Sequence, residues 1–126
     1  MLILTAYGLW RFRIFLIMSA SMAPELPVGS IIIVDTLQAD VETGDIVSFR
    51  LSDDTIVTHR ITDRSRSGWI TKGDANEDVD TVRVKQENII GRVVLIVPHP
   101  FRTFCYLFVI MAGIDSILKI KRRRMT

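Results

Sequence analysis

The sequence contains one cysteine and two histidines among 126 residues. A single cysteine, Cys105, excludes an internal disulfide bond and a metal cluster built on several cysteines. The two histidines, His59 and His99, are far apart in the sequence and lack the spacing of metal ligands. The sequence therefore predicts neither a bound metal ion nor another cofactor.

The chain also lacks a strong excess of charge of one sign, since its formal net charge is only +2. Acidic residues are concentrated between Asp35 and Asp80, whereas basic residues form the run KIKRRR at positions 119–124. A terminal basic run of this kind is typical of a solvated tail or of a membrane topology signal. We therefore do not expect nucleic acid to be a partner.

The sequence has no uninterrupted long apolar run near its start. A spanning helix needs about 20 predominantly apolar residues, whereas the apolar first eighteen residues contain Arg11 and Arg13. We interpret residues 1–12 as the remnant of an N-terminal membrane helix, most of which this chain lacks.

A second apolar segment, Phe101–Leu118, is interrupted by Arg102 and Asp115 and is followed by the basic run. It has about the length of a short transmembrane helix, and basic residues beside a span favour the cytoplasmic side. The alternative is an amphipathic helix that lies on the membrane surface with its basic end at anionic lipid. Residues 101–126 are thus predicted to contact the lipid bilayer, and a span would place the preceding domain on the non-cytoplasmic side.

The middle of the chain has the pattern of β-structure. Short runs rich in isoleucine and valine are separated by clusters of glycine, aspartate and serine. These runs are SIIIVD, DIVSFR, TIVTHRI, GWITK and IIGRVVLIV, and Arg13–Met18 is predicted to form a further strand. Several short strands at regular spacing predict a mainly β domain over residues 13–98, in the form of a small antiparallel β-barrel or sandwich.

The segment SASMAPELPVGS, residues 19–30, joins two of the predicted strands. Small side chains at residues 19–21 let another backbone approach closely, while Pro24 and Pro27 restrict the chain that follows. This arrangement suits a serine that is presented to an extended peptide. Taken alone, it is equally a strand-to-turn junction.

The strand TIVTHRI carries one of the two histidines. Its period-two alternation places Val57, His59 and Ile61 on one face. A histidine between two aliphatic neighbours is most often a hydrogen-bonded core residue. The functional alternative is a general base, because imidazole exchanges protons readily near neutral pH.

The sequence GDANEDVD has four acidic residues within seven positions. Asp74, Asn76 and Asp78 fill the first three ligand positions of an EF-hand loop, but Val79 replaces the required glycine. The residues alone leave open a solvated acidic loop or a site with a functional carboxylate.

Taken together, the boxes SASMAP, VETGDIVSF, VTHRI, TKGDANEDVD and IIGRVV occur in the order and rough spacing of type I signal peptidases. They resemble the branch found in archaea, in the endoplasmic reticulum and in some Gram-positive bacteria. That branch has a histidine where the bacterial housekeeping branch has a lysine base. The resemblance covers about residues 11–97.

The resemblance implies a role for each matching residue. Ser21 would be the nucleophile and His59 the general base. The acidic box of the family carries a second essential aspartate six positions after the first, which makes Asp80 the third member of a triad and leaves Asp74 to support the loop. The hydroxyl of Ser19 would help to form the oxyanion hole, beside the backbone N–H of Ser21.

The resemblance also implies a substrate class, the signal peptides of preproteins cleaved after small residues at A-x-A-like sites. An extended substrate paired along Arg13–Met18 would bring its small side chains near Ile14, Leu16 and Met22. In the family the middle residue of the S-x-S-M box is usually glycine, and in this sequence it is Ala20.

The sequence therefore predicts a membrane-bound serine endopeptidase, with or without accessory membrane subunits. Its location would be the cell membrane or, in a eukaryote, the membrane of the endoplasmic reticulum. The alternative is a non-catalytic, signal-peptidase-like membrane protein that acts in surface or matrix assembly. A self-cleaving, repressor-like peptidase of similar fold would need a lysine base and a DNA-binding domain, for which this chain has no room.

Overall fold

The computed structural model describes residues 10–37, 40–99, 104 and 106–114. Six β-strands and one 3-10 helix form its regular structure between the start of the first strand and the end of the last. They are β1 (Phe12–Leu16), β2 (Ile31–Asp35), β3 (Ile46–Arg50), β4 (Ile56–Ser65), β5 (Gly68–Lys72), the 3-10 helix Gln86–Asn88 and β6 (Ile89–Val97).

The six strands form one sheet with the order β1-β2-β6-β3-β4-β5. Every neighbouring pair is antiparallel, and irregular pairing interrupts the register between β2 and β6, between β3 and β6, and between β4 and β5. The prediction of a mainly antiparallel β domain is confirmed. The prediction of a barrel or sandwich needs correction, because β1 and β5 are not paired with each other and the sheet of the described residues is open.

Two groups of buried apolar side chains hold this sheet in shape. The first lies beneath the segment that joins β1 to β2, and the second lies beneath β3 and β4. The first comprises Ile17, Met22, Leu26, Ile32, Val34 and Ile46, and the second comprises Val41, Val47, Phe49, Ile61 and Val84. Each group supports one of the segments that carry the candidate catalytic side chains.

Beyond β6, residues 106–114 are helical and their large apolar side chains are exposed. Within the described ranges, no helix has both the length and the apolar character needed to cross a bilayer. Most of the predicted membrane segment 101–126, including Cys105, falls outside the described residues, as do residues 1–9 of the predicted N-terminal remnant. Both therefore stay predictions.

Gly91 in β6 marks the closest approach of two strands. A β-carbon at this position would overlap the backbone carbonyl oxygen of Asp35 and would come within 2.9 Å of Cγ1 of Val34. Because backbone cannot swing aside as the end of a flexible side chain can, only glycine fits between β6 and β2.

We expect Gly91→Ala to lower the free energy of unfolding by about 1–3 kcal/mol or more, since overpacking forces strands apart. Urea unfolding followed by circular dichroism measures this change. Gly113→Ala is the matched control, because a β-carbon at Gly113 meets nothing within 4 Å. Equal stability of Gly91→Ala and the wild type would contradict the close approach of β6 to β2.

Candidate active site

The segment between β1 and β2 presents Ser21 on a tightly held turn. The N–H of Ile17 donates to the Ser30 carbonyl at 2.9 Å, and the N–H of Gly29 donates to the Ile17 carbonyl at 2.8 Å, which closes the base of the turn. Within it, Met22 and Leu26 are almost completely buried in the first core group. The backbone is therefore fixed both before and after Ser21, as precise placement of a functional side chain requires.

His59 lies on β4, opposite Val47 of β3. Its side chain is largely buried, and its ring meets the edge of the Phe49 ring with 6.4 Å between centroids. As the alternation predicted, Ile61 shares this inward side and is fully buried. The strand thus sets the ring at the boundary between the core and the cleft.

A chain of hydrogen bonds joins the three residues that the sequence singled out. Nε2 of His59 lies 3.1 Å from Oγ of Ser21, and Nδ1 of His59 lies 2.6 Å from Oδ2 of Asp80. These residues come from three separate segments of the sequence, and the fold brings them together. The carboxylate can only accept from Nδ1, which leaves Nε2 with a lone pair directed at the serine hydroxyl.

Asp80 receives further support from residues that sequence reasoning did not identify. Oγ1 of Thr71 donates to Oδ2 of Asp80 at 2.7 Å, and Nη1 of Arg83 donates to the Asp80 carbonyl at 2.7 Å. The N–H of Asp80 donates to the Thr71 carbonyl at 2.8 Å. The sequence signal for Thr71 is its place as the first residue of the box TKGDANEDVD, to which no role was assigned.

Ser19 lies beside Ser21, with 3.1 Å between the two hydroxyl oxygens. Ala20, between them, is exposed, and among the described residues Asp54 is the one non-glycine residue with a positive φ. Ala20 therefore has a φ that any residue adopts, and the replacement of glycine by alanine introduces no backbone strain of that kind.

The Asp74 carboxylate is hydrogen-bonded to Arg60, the residue that follows His59 in the sequence. Nε and Nη2 of Arg60 donate to the two carboxylate oxygens of Asp74 at 2.9 and 2.8 Å, and Nη1 donates to the Gly44 carbonyl at 2.9 Å. Hydrogen bonding from the guanidinium holds the pKa of the Asp74 carboxyl below its ordinary value of 3.8, against the opposing effect of burial. Arg60 is a supporting residue that sequence reasoning missed, although it directly follows His59.

The acidic loop also contacts the segment that carries Ser21 through its backbone. The N–H of Ala75 donates to the Ser21 carbonyl at 2.9 Å, and the N–H of Asp74 approaches Sδ of Met22 at 3.3 Å. A β-carbon at Gly73 would come within 2.6 Å of the Ser21 carbonyl oxygen. Glycine at this position therefore lets the loop and the segment that carries Ser21 touch.

The remaining acidic residues of the loop, Glu77 and Asp78, are exposed. In the part of the chain that the structure describes, no three histidine, cysteine, aspartate or glutamate side chains are grouped as metal ligands. The carboxylate of Asp74, which would be the first ligand of an EF-hand, is taken up by Arg60.

A cleft runs past the Ser21 hydroxyl between two stretches of backbone. Residues 15–19 line one side and residues 55–59 line the other. Of the three predicted substrate-binding residues, Leu16 lines the cleft and is half-exposed, whereas Met22 contributes to its floor while being 1% exposed. Ile14 lies farther along β1, outside the lining of this cleft, and is 69% exposed, so its contact with a substrate stays a prediction.

We expect the Arg60–Asp74 pair to stabilise the fold in a pH-dependent way. Asp74→Asn should lower the free energy of unfolding at pH 7 by about 1–3 kcal/mol, as is typical for a hydrogen bond to a charged group. Because the pKa of Asp74 is lowered in the folded state, this contribution is present above its ordinary pKa of 3.8 and is lost as the pH falls through the lower folded pKa. The difference between the urea midpoints of the two proteins should therefore narrow as the pH is lowered from 7 to below 3.8.

Glu77→Gln is the control for that measurement, since Glu77 is an exposed carboxylate in the same loop. Its urea midpoint should follow that of the wild type at every pH. A constant difference between Asp74→Asn and the wild type down to pH 3 would show that the ion pair is not its source.

Comparison with known proteins agrees with this geometry. A sequence model of the family described as Peptidase S24-like matches residues 13–94, which include all six strands except the ends of β1 and β6. The chain is also 37% identical over 79 residues to Signal peptidase I W of Bacillus subtilis (strain 168). That match covers 58% of this chain and 42% of the relative, so it spans less than half of the relative's length.

The matched region includes the segments that carry Ser21, His59 and Asp80. The resemblance inferred from the sequence boxes is thus confirmed at the level of the family. The chain belongs to the Peptidase S24-like family and, within it, resembles the type I signal peptidases.

Proposed function

We propose that this protein is a serine endopeptidase that removes signal peptides from preproteins after small residues. The observation that carries the proposal is the hydrogen-bonded chain from Ser21 through His59 to Asp80. A serine hydroxyl is a weak nucleophile until an adjacent base removes its proton. We assign the role of that base to His59 and the orientation of its ring to Asp80, and the two hydrogen bonds support this assignment.

In the first step, Nε2 of His59 takes the proton from Oγ of Ser21 as the oxygen attacks the scissile carbonyl carbon. The imidazolium that results is stabilised by Asp80, which stays ionised. His59 then gives the proton to the amine of the leaving segment, and the C–N bond breaks. The acyl group is left on Ser21 as an ester.

The second step reverses these roles with water. His59 removes a proton from a water molecule that attacks the ester carbonyl, and then returns the proton to Oγ of Ser21. The signal peptide leaves with a new carboxylate, and the enzyme regains its starting state. Two steps with one base need no metal ion or other cofactor.

The oxyanion formed in both steps needs hydrogen-bond donors close to Ser21. Two donors are proposed, the backbone N–H of Ser21 and the hydroxyl of Ser19, whose oxygen lies 3.1 Å from the Ser21 hydroxyl. Loss of one such donor in well-studied proteases costs about 3–4 kcal/mol of transition-state stabilisation. The turn that holds both serines therefore contributes to stabilisation of the transition state as well as to placement of the nucleophile.

The shape of the cleft supports an extended substrate that ends in small side chains. A peptide placed between residues 15–19 and 55–59 has backbone on both sides with which to pair. The half-exposed Leu16 forms part of an apolar wall, and the buried Met22 closes the floor. Such shallow apolar surfaces accept alanine-sized side chains, in agreement with A-x-A-like sites.

Attachment to a membrane is the second part of the proposal, with residues 101–126 as the attachment and the catalytic domain on the non-cytoplasmic side. The exposed apolar side chains of helical residues 106–114 and the basic run that follows support it. The exposed apolar side chains of Phe12, Ile14 and Met18 are also suited to a lipid surface. The relative's name, Signal peptidase I W, agrees with the signal-peptidase part of the proposal.

We expect Ser21→Ala and His59→Ala each to abolish cleavage of a preprotein by the purified protein in detergent. The double variant should be no slower than either single variant, because the two side chains act as one unit. Asp80→Asn should lower kcat by about three to four orders of magnitude, since an amide facing Nδ1 holds the wrong tautomer of the ring. The new N-terminus of the product, determined by sequencing, identifies the cleavage site.

Two matched controls accompany these variants. Ser52→Ala removes an exposed serine hydroxyl outside the cleft, and Asp78→Asn removes an exposed carboxylate in the acidic loop. Both should cleave at the wild-type rate. Substantial cleavage by Ser21→Ala would refute the assignment, and equal losses in Asp80→Asn and Asp78→Asn would refute the role of Asp80. If the wild type cleaves no preprotein, the proposal fails and the non-catalytic, signal-peptidase-like protein is the remaining alternative.

The topology is tested by thiol labelling of intact cells in a Cys105→Ser background. Ser67→Cys, in the exposed turn between β4 and β5, should react with a membrane-impermeant maleimide before lysis. Thr126→Cys, after the basic run, should react only after lysis. The reverse pattern would place the domain on the cytoplasmic side and contradict the proposal.

A further inference from the structure

The Asp80 carboxylate belongs to a loop whose other residues are mostly exposed, yet its orientation must be fixed for it to serve His59. Residues 75–79 of this loop are exposed, and the Asp80 side chain itself is 23% exposed. A carboxylate in such a loop can rotate about its side-chain bonds unless a neighbour holds it.

Thr71 holds Asp80 at two points. Its hydroxyl donates to Oδ2 of Asp80 at 2.7 Å, which is the same oxygen that lies 2.6 Å from Nδ1 of His59. Its carbonyl accepts the N–H of Asp80 at 2.8 Å. One residue thus fixes both the backbone and the reactive oxygen of Asp80, and it closes the loop at its base.

Thr71 is itself rigidly placed. It lies on β5 opposite Ile61 of β4, so it shares the face of the sheet on which His59 lies two residues away. Both Thr71 and Ile61 are fully buried. Because a β-branched side chain in a buried strand has few rotamers, the direction of the hydroxyl is set by the sheet.

We propose that Thr71 is a positioning residue that fixes the Asp80 carboxylate against His59 and so sets the rate of serine attack. This inference rests on the proposed function of Ser21, His59 and Asp80. Without the hydroxyl, Oδ2 loses one of its two donors and the carboxylate can turn away from Nδ1. The imidazolium formed during attack is then less well stabilised, whereas binding of the substrate in the cleft is unaffected.

Two conservative variants distinguish a positioning role for Thr71 from a purely structural role. Valine keeps the size and the branching of threonine but has no hydroxyl, whereas serine keeps the hydroxyl and lacks the methyl group. If Thr71 only filled the core, Thr71→Ser would be the more damaging change because it leaves a cavity. If Thr71 positions Asp80, Thr71→Val is the more damaging change for catalysis.

The kinetic test measures kcat and KM of the purified protein in detergent with a preprotein. Thr71→Val should lower kcat about 10- to 100-fold, as expected for loss of a hydrogen bond to a charged group, with KM within about twofold. Thr71→Ser should keep kcat within about threefold, even where its urea midpoint falls. Thr62→Val is the control, because the hydroxyl of Thr62 donates to the Ile70 carbonyl in the same pair of strands without contact to Asp80.

A spectroscopic test does not depend on cleavage. The proton between Nδ1 of His59 and Oδ2 of Asp80 gives a resonance well downfield of the backbone amides because the hydrogen bond is short and charge-assisted. His59→Ala identifies this resonance by removing it. Thr71→Val should shift or broaden the resonance, whereas Thr71→Ser and Thr62→Val should leave it in place.

The outcomes separate the role of Thr71 from the proposed function of the site. Wild-type kcat in Thr71→Val, an unmoved resonance in that variant, or an equal loss of kcat in Thr71→Ser would each overturn the role of Thr71. If Thr71→Val does not fold, Thr71→Ala is the second variant without the hydroxyl, and the same criteria apply. Failure of the wild type to cleave any preprotein would refute the proposed function, and the resonance would still decide whether Thr71 orients Asp80.

Discussion

The contact between the turn that carries Ser21 and the loop after β5 is the constraint on which the rest of the site depends. The Ser21 carbonyl accepts the N–H of Ala75, and it lies so close to Gly73 that a side chain there would not fit. This contact joins an edge strand, β1, to the opposite edge strand, β5, across an open sheet. Without it, Ser21 and Asp80 would belong to separate ends of the fold.

From that contact, the placement of the two aspartates follows from the geometry of β4. Adjacent residues of a strand point to opposite faces, so His59 and Arg60 reach out on different sides. Asp74 pairs with Arg60 where the loop begins, and Asp80 pairs with His59 where the loop returns to Thr71. The six positions from Asp74 to Asp80 thus join the partner of Arg60 to the partner of His59.

The burial of the site explains why so much of its support is hydrogen-bonded. Thr71 and His59 lie against the second core group, where an unpaired polar group would destabilise the fold by about 1–3 kcal/mol. Each polar side chain in this region therefore has a partner that also directs it. The same contacts that stabilise the domain orient its reactive groups.

Much of this arrangement could be predicted from the sequence, and the part that could not has a physical cause. Alternation and turn residues predicted the strands, and the side of β4 on which His59 and Ile61 lie. The prediction of a closed sheet was wrong, because the pairing of strands that are distant in the chain leaves no local pattern in the sequence. From the residues alone, Ser21, His59 and Asp80 were each ambiguous, and only the ordered boxes of a family singled them out.

The supporting residues were missed for a related reason. Thr71 and Arg60 are ordinary strand residues whose importance depends on which loop atom lies opposite, and that is set by strand register and by the path of the loop. The strand predicted over Arg13–Met18 is Phe12–Leu16 in the structure, because the chain leaves β1 for the turn that carries Ser21. Local patterns indicate where strands occur, but the neighbours of a side chain across strands come from the fold.

The central claim is that Oγ of Ser21, activated by His59, forms a covalent bond to the substrate. A peptidyl phosphonate diester that ends in alanine tests it directly, because phosphorus takes the place of the scissile carbonyl carbon and its bond to a serine oxygen is stable. Tandem mass spectrometry of the digested protein should locate the adduct on Ser21, and His59→Ala should remain unlabelled. An adduct on Ser19 or on another residue, or labelling of the wild type and His59→Ala at the same rate, would contradict the account.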